Sequence, residues 1–308
     1  MSRPPAFSDW AWLGALSGLW GSAFMFTKVA VESVPPVVVV AGRLAVAAVA
    51  MLALARWLGL ALPRRARIWR QLALVACVGN ALPFFLISWG QQRIDSSLAG
   101  ILMAPMPLVT LMLAHWFVAG ERMTAPRIAG SCLGFLGVAV LTGLDALRGL
   151  GGDPAELFGQ LSVLAGSLCY AANAILSRRL PPMHPLVSGA CVMLVASALM
   201  GPLALWLEVS RTSLPAAAPL AAIVALGLGA TAAGTVVYFH LIQGPGGTFT
   251  VGTNYLIPMV ALAAGVAFLG ERPPWRALIA LGLILGGLAL TQLRFEWRGW
   301  RSSGSGGP

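Results

Sequence analysis

Residues Gly14–Ser22 read GALSGLWGS, and residues Gly159–Ser167 read GQLSVLAGS. Six of these nine positions are identical at one constant offset, which is more agreement than nine scattered positions give by chance. A repeat of this length, placed near the start and the middle of the chain, indicates an internal duplication.

A second match supports the duplication and extends it. The tripeptide GER at Gly120–Arg122 recurs at Gly270–Arg272, with Pro107 before the first copy and Pro258 before the second. Because both matches occur in the same order, the chain consists of two similar halves rather than one isolated repeated motif.

The composition places both halves in a membrane. The sequence is 58% hydrophobic and 10% charged, whereas about 25% of the residues in a typical soluble domain are charged. Apolar stretches of about 20 residues are long enough to cross a bilayer as helices. Ten such stretches are present, near residues 10–31, 36–58, 71–91, 97–118, 126–144, 157–177, 184–207, 218–242, 248–269 and 275–293.

Each of the two similar halves contains five spans. Because five is an odd number, the second half enters the membrane from the opposite side, as in transporters built from inverted repeats. We therefore predict an all-α integral membrane protein with ten transmembrane helices arranged as two inverted five-helix repeats. Its expected parts are a cytoplasmic N-terminal segment 1–9, a first repeat 10–144, an outer linker 145–156, a second repeat 157–293 and a cytoplasmic tail 294–308, of which residues 302–308 resemble a linker or expression scar.

The positions of the arginines predict the orientation. If the N-terminus is cytoplasmic, thirteen Arg residues lie in cytoplasmic segments and five in outer ones. Loops that stay in the cytoplasm are enriched in Lys and Arg. Both termini are therefore expected in the cytoplasm of a bacterial cell, with the chain in the cytoplasmic (inner) membrane.

Other functional classes fit the sequence poorly. Although the net charge is +10, the basic residues form no cluster interleaved with aromatic residues, so we expect no nucleic-acid partner. The four cysteines lie singly in apolar stretches without metal-ligand spacing, so no metal site and no cofactor are expected. The expected partners are the lipid bilayer and a small-molecule substrate.

Two basic residues lie inside the spans, and charged groups at that depth usually serve a function. Lys28 and Arg43 are each seven positions from the Pro35-Pro36 turn, so they lie at matching depth on adjacent helices. All ten acidic residues fall in loops or at the ends of spans. Alternatively, Lys28 pairs with Glu32 one turn away, and Arg43 caps carbonyl groups or extends to the interface.

Aromatic and polar residues at helical spacing suggest the lining of a substrate path. The candidate substrate-binding residues are Trp20, Phe24, Lys28, Arg43, Asn80, Phe84, Ser88, Tyr170, Asn173, Tyr238, Asn254 and Tyr255. Prolines within spans are candidate hinges, namely Pro83, Pro105, Pro107 and Pro258. Ordinary helix packing and static kinks would explain the same patterns. The fifth and tenth spans carry Gly130-x-x-x-Gly134 and Gly282-x-x-x-Gly286 with few polar residues, and are assigned to scaffolding.

Several of these motifs together resemble a known family. Trp20-Gly21-Ser22-x-Phe24 with Lys28, Pro35-Pro36 followed by Arg43, and Pro107 leading to Gly120-Glu121-Arg122 are similar to the ten-helix, EamA-type exporters of the drug/metabolite transporter superfamily. Within that superfamily the chain looks most like bacterial exporters of aromatic amino acids that also pass cationic drugs. Ala165 and Asn173 replace Trp20 and Lys28 in the second half, so a polar site would be asymmetric.

The resemblance implies a secondary transporter rather than an enzyme. Its expected substrates are small metabolites, chiefly aromatic or other neutral amino acids and also cationic drugs, moved by alternating access through a central cavity. One alternative is a nucleotide-sugar or phosphate-ester transporter of the same superfamily, in which Lys28 and Arg43 bind phosphate. Others are a channel or an intramembrane enzyme, although no Asp lies within a span for acid–base chemistry.

Overall fold

The structure is a computed structural model that describes residues 3–118, 123–142, 153–208 and 216–302. The first GER motif, Gly120–Arg122, lies outside the described residues, as do most of the expected linker 145–156 and residues 303–308 of the tail.

The described residues form ten long helical segments and no strand. The segments are α1 (Phe7–Val31), α2 (Pro36–Trp57), α3 (Ala66–Gly90), α4 (Ser96–Phe117), α5 (Ala125–Thr142), α6 (Pro154–Ser177), α7 (Pro185–Glu208), α8 (Ala217–Gln243), α9 (Thr253–Leu269) and α10 (Trp275–Ser302). A single helical turn, Gly247–Thr250, precedes α9. The all-helical membrane fold expected from the sequence is confirmed.

The lengths of these segments match the thickness of a bilayer. Seven of the described segments, α2 to α8, are long and apolar enough to cross a membrane. Helix α1 has 25 residues, more than the roughly 20 that a crossing needs. Helix α9 and the apolar part of α10, residues 275–291, are shorter, and the 17 residues of α9 reach about 25 Å at 1.5 Å per residue. The seven described segments that are long and apolar enough to cross make this a multi-pass membrane protein.

Three of the segments are irregular in the middle. Helix α3 contains a π-helical stretch at Cys77–Ala81, and α8 contains a longer one at Leu226–Ala233. Helix α4 is interrupted at Ala104 and Pro105, between Ser96–Met103 and Met106–Phe117. Stretches of π-helix leave some backbone carbonyls without their regular partner and often mark functional sites.

Helix packing follows the internal repeat. Helix α1 packs against α9 and α8, and its equivalent in the second half, α6, packs against α4 and α3. Likewise α2 packs against α8, and α7 packs against α3. Three further pairs, α2 with α7, α4 with α9 and α5 with α10, join equivalent helices directly. The two halves therefore interlock symmetrically, and the two π-helical stretches occupy equivalent helices, α3 and α8.

The largest cluster of buried apolar residues in the described chain lies between the equivalent helices α2 and α7, with α3 beside them. Leu44 and Met51 of α2 are almost fully buried there beside Ala190 and Ala196 of α7. Buried apolar contacts on this scale hold the two halves together.

Helices α5 and α10 also pack closely, through small residues. A Cβ added to Gly130 would collide with the Gly287 carbonyl oxygen, and a Cβ at Gly287 would meet the backbone of Gly134. The close contact on α10 is therefore made by Gly287, whereas Gly282 of the Gly282-x-x-x-Gly286 motif faces open space. Small residues allow this approach of the two backbones.

Candidate functional site

The guanidinium of Arg43 lies among the helices, where three of them meet. Its Nε donates a hydrogen bond to Thr231 Oγ1 of α8 at 2.8 Å. Its Cζ lies 3.8 Å from the ring centroid of Phe84 on α3. Both contacts suit a guanidinium, which donates in its plane and stacks over aromatic faces.

The π-helical stretch of α8 places Thr231 in reach of Arg43. Thr231 Oγ1 also donates to the carbonyl of Leu226, five residues earlier, at 2.9 Å. Gly227 in the same stretch lies against α2, where a Cβ would meet the Arg43 carbonyl oxygen and the Val46 side chain. A glycine at this position therefore lets the backbones of α2 and α8 approach closely.

Tyr170 of α6 brings a fourth helix to this group. Its ring lies edge-on to Phe84, with centroids 6.4 Å apart and planes at 65°. Such an arrangement is favourable for aromatic pairs. Phe84 is 8% exposed, whereas Arg43 and Tyr170 are only part-buried although helices surround them. We call these four residues, Arg43, Phe84, Tyr170 and Thr231, the Arg43 site.

The charge of Arg43 has no acidic partner in the described part of the chain. The ion pairs found there join Arg3 to Asp9 and Arg276 to Glu156, at helix ends. Beyond the bond from Nε, the two terminal Nη nitrogens donate to no described residue. A buried charge without a counterion is costly, so the Arg43 site is suited to binding an anion.

Lys28 has a different environment from Arg43. Its Nζ donates to the carbonyls of Gln91 at 3.0 Å and Ile94 at 2.9 Å, just past the end of α3. Gln91 Nε2 returns a hydrogen bond to the Phe24 carbonyl of α1 at 2.9 Å. A cation at this position satisfies carbonyl groups that the helix leaves unpaired and interacts favourably with its dipole. Lys28 thus ties α1 to the end of α3, rather than pairing with Glu32.

Asn173 lies against the π-helical stretch of α3, where Asn80 is also located. A Cβ at Gly79 would collide with the Asn173 side-chain amide, so this glycine makes room for it. Ser177 Oγ donates to Asn173 Oδ1 at 3.4 Å. Asn80 and Asn173 are both part-buried. They place neutral amides on the same two helices, α3 and α6, that supply Phe84 and Tyr170.

Trp20 and Tyr238 form a separate aromatic pair. Their ring centroids are 5.5 Å apart, and Trp20 Nε1 donates to the carbonyl of Ala230 at 3.0 Å. Ala230 directly precedes Thr231, so the π-helical stretch of α8 bonds Trp20 of α1 and Arg43 of α2 through adjacent residues. No side-chain hydrogen bond or ring contact joins this pair to the side chains of the Arg43 site in the part of the chain that the structure describes.

The remaining candidates lie elsewhere on the helices. Ser88 is buried on α3, Phe24 packs on α1 near α4, and Asn254 and Tyr255 are part-buried in the first turn of α9. Among the candidate hinges, Pro105 and Pro107 lie at the interruption of α4, Pro83 lies two residues after the π-helical stretch of α3, and Pro258 lies inside α9. Their role as hinges stays a prediction.

The sequence reasoning missed two polar contacts. Thr231 was overlooked, because a threonine within an apolar span carries no distinctive signal. Glu271 of the second GER motif accepts hydrogen bonds from the backbone N–H groups of Ser96 at 2.7 Å and Ser97 at 2.9 Å, which caps α4. Burial raises the pKa of the Glu271 carboxyl, but the hydrogen bonds from Ser97 and Ser96 outweigh it and hold the pKa below its usual value. The repeat of GER was a usable signal for this contact.

Metal chemistry has no support in the described residues. No group of three or more His, Cys, Asp or Glu side chains lies close enough there to hold a metal ion. The hydroxyl of Ser162 on α6 donates to the Leu86 carbonyl at 2.7 Å.

The sequence matches a family model described as the EamA-like transporter family, at residues 9–143 and again at residues 157–293. A probable terminal-alkyne amino-acid exporter of Streptantibioticus cattleyicolor is 30% identical over 276 residues, which cover 89% of this chain and 90% of that protein. The inner membrane transporter YedA of Escherichia coli K12, which is described as uncharacterized, is 25% identical, with 91% of this chain and 89% of that protein covered. A solved crystal structure with 21% identity has a TM-score of 0.65 and covers 94% of this chain and 98% of its own, which shows a shared fold.

Proposed function

Since this chain belongs to the EamA-like transporter family, we propose that it is a secondary exporter of small carboxylate-bearing metabolites, chiefly neutral amino acids with aromatic or other apolar side chains. The single observation that carries the proposal is the Arg43 guanidinium, part-buried among the helices without an acidic partner in the described residues. The amino-acid exporter among the relatives supports the same substrate class.

Arg43 would bind the substrate carboxylate. Its terminal nitrogens donate to no described residue, and a planar guanidinium matches a carboxylate with two parallel hydrogen bonds. Phe84 and Thr231 hold the guanidinium in place from two sides. A group fixed in this way loses little conformational freedom on binding, which favours affinity.

The substrate side chain would lie on neighbouring apolar and aromatic surface. Tyr170 is part-buried beside Phe84 and presents an aromatic ring with a polar end. The amides of Asn80 and Asn173 on the same helices supply neutral hydrogen-bonding groups. A phosphate ester or nucleotide sugar would place more negative charge beside a single available cation, because Lys28 is engaged by two carbonyls.

Alternating access would follow from the interlocked halves. Exchanging the conformations of two like halves opens the opposite side of the membrane while the site stays near the midplane. The Arg43 site joins helices of both halves, α2 and α3 with α6 and α8. We place the protein in the cytoplasmic membrane with both termini inside, since Arg predominates in the loops on that side.

The first prediction tests the carboxylate contact. Arg43→Gln should weaken the binding of phenylalanine or leucine by roughly ten- to a hundredfold, because charge-assisted hydrogen bonds contribute about 1.5 to 3 kcal/mol. Equilibrium binding of the radiolabelled amino acid to purified protein in nanodiscs measures it. Arg64→Gln removes the same charge from an exposed loop position and serves as the matched control.

Unchanged affinity in a folded Arg43→Gln protein would contradict the proposal. Folding is checked by gel filtration and by the unfolding temperature of each variant. Arg43→Lys separates charge from shape: it keeps the positive charge but loses the two-pronged geometry, so we expect an intermediate affinity.

A further inference from the structure

The Arg43 site contains one full positive charge and no full negative charge among the described residues. Besides Arg43, the polar groups of the site itself are the Thr231 and Tyr170 hydroxyls, and the amides of Asn80 and Asn173 lie on the same helices, α3 and α6; all four are uncharged at neutral pH. Neutral groups can accept hydrogen bonds from an ammonium group, but they do not neutralise its charge. A bound molecule therefore meets a net positive environment.

The described acidic side chains lie at helix ends or in loops: Asp9, Glu32, Asp95, Asp153, Glu156 and Glu271. Several already have partners there. Arg3 binds Asp9 through two hydrogen bonds of 2.6 and 2.8 Å, and backbone N–H groups of α4 bind Glu271. Glu156 accepts a hydrogen bond from Gln160 and lies 4.0 Å from Arg276. None of them contacts the Arg43 site.

A permanent positive charge repels a second one strongly when both are removed from water. The face of Phe84, which would otherwise attract an organic cation, is already covered by the Arg43 guanidinium 3.8 Å away. A cation entering this site would lose its hydration, meet no counterion and lie beside Arg43.

We propose that the Arg43 site selects its substrates by charge: it binds organic carboxylates that lack an amino group at least as tightly as the matching amino acids, and it excludes organic cations. This inference rests on the proposed function, because it assumes that Arg43 contacts the substrate carboxylate. It extends the substrate class to apolar monocarboxylates. It also excludes cationic drugs from the expected substrates, although the family resemblance had suggested them.

Two sets of three compounds test the proposal. Within each set the side chain is the same, and the compounds differ only in charge: a carboxylate, the matching amino acid and the matching amine. The first is 3-phenylpropanoate, phenylalanine and phenethylamine; the second is 4-methylpentanoate, leucine and 3-methylbutylamine. Each compound competes with a radiolabelled amino acid for the purified wild-type protein in nanodiscs, so that leakage of neutral forms across a bilayer does not interfere. The carboxylate should compete at least as well as the amino acid, and the amine at least about a hundredfold more weakly.

Arg43→Gln and Arg64→Gln proteins give the matched comparison. Removing the charge at residue 43 should reduce competition by the carboxylate about ten- to a hundredfold and reduce the discrimination against the amine. Arg64→Gln should reproduce the wild-type order in both sets.

The outcomes separate this inference from the proposed function. An amine that competes less than about a hundredfold more weakly than its amino acid would overturn the inference, and so would a carboxylate that competes measurably more weakly than its amino acid. The proposed function would survive either result if Arg43→Gln still weakened amino-acid binding. If Arg43→Gln changed neither set, or if neither amino acid bound the wild-type protein, the proposed function would fail as well.

Discussion

Lys28 and Arg43 lie at matching distances from the same turn in the sequence, yet their side chains make different contacts in the structure. Arg43 lies on Phe84 with terminal nitrogens that donate to no described residue. Lys28 instead donates two hydrogen bonds to the carbonyls at the end of α3. Depth in the membrane can be counted from a turn in the sequence, but the direction of a side chain around its helix depends on neighbours that are distant in the chain.

Replacing Lys28 should therefore affect stability more than binding. Lys28→Gln removes two charge-assisted hydrogen bonds, each typically contributing about 1.5 to 3 kcal/mol, so the unfolding temperature in detergent should drop clearly below that of the wild-type protein. Amino-acid affinity in nanodiscs should change less than threefold. A Lys28→Gln protein with normal unfolding temperature and weakened binding would mean that Lys28, too, contacts the substrate.

The π-helical stretches of α3 and α8 show why part of the site was not predictable. Apolar periodicity locates a span and its approximate ends, and the ten predicted spans correspond to the ten described segments. A π-helical stretch leaves no such pattern, because its residues, LGLGATAA in α8, suit a regular span equally well. Thr231 therefore became visible as a partner of Arg43 only in the folded chain.

Two glycines in that stretch provide a matched test of this account. A Cβ at Gly227 would meet the Arg43 carbonyl oxygen and the Val46 side chain, whereas a Cβ at Gly229 would make only an ordinary contact with Leu19. Gly227→Ala should destabilise the protein by roughly 1 to 3 kcal/mol and weaken amino-acid binding by separating Thr231 from Arg43. Gly229→Ala should change both much less. The unfolding temperature and the affinity of each variant measure the effect, and equal values for the two variants would contradict it.

Helices α5 and α10 illustrate a similar limit. The sequence contains Gly282-x-x-x-Gly286, which predicted that α10 serves as scaffolding. The neighbouring Gly287 makes the close approach to Gly130 and Gly134 instead. Several glycines within one short stretch predict that a helix packs closely, but which of them faces the neighbour depends on how that helix is rotated.

Across the molecule, the duplication visible in GALSGLWGS and GQLSVLAGS predicts the symmetric packing of the halves. The side chains at the site depart from that symmetry. Trp20 has Ala165 as its counterpart, and Lys28 has Asn173. The backbone thus keeps two equivalent halves, while the Arg43 site has a single charged side chain, an asymmetry that fits the carboxylate substrate we propose.

The most direct test of the account is to measure half-saturation for an amino acid separately from each face of the membrane. Counterflow in proteoliposomes of known orientation gives both values, for the wild-type, Arg43→Gln and Arg64→Gln proteins. If one site serves both faces in turn, Arg43→Gln should raise half-saturation by roughly ten- to a hundredfold on both sides, and Arg64→Gln should leave both near wild-type values. A shift on one side alone, or on neither, would contradict a single Arg43 site that is exposed alternately to the two faces.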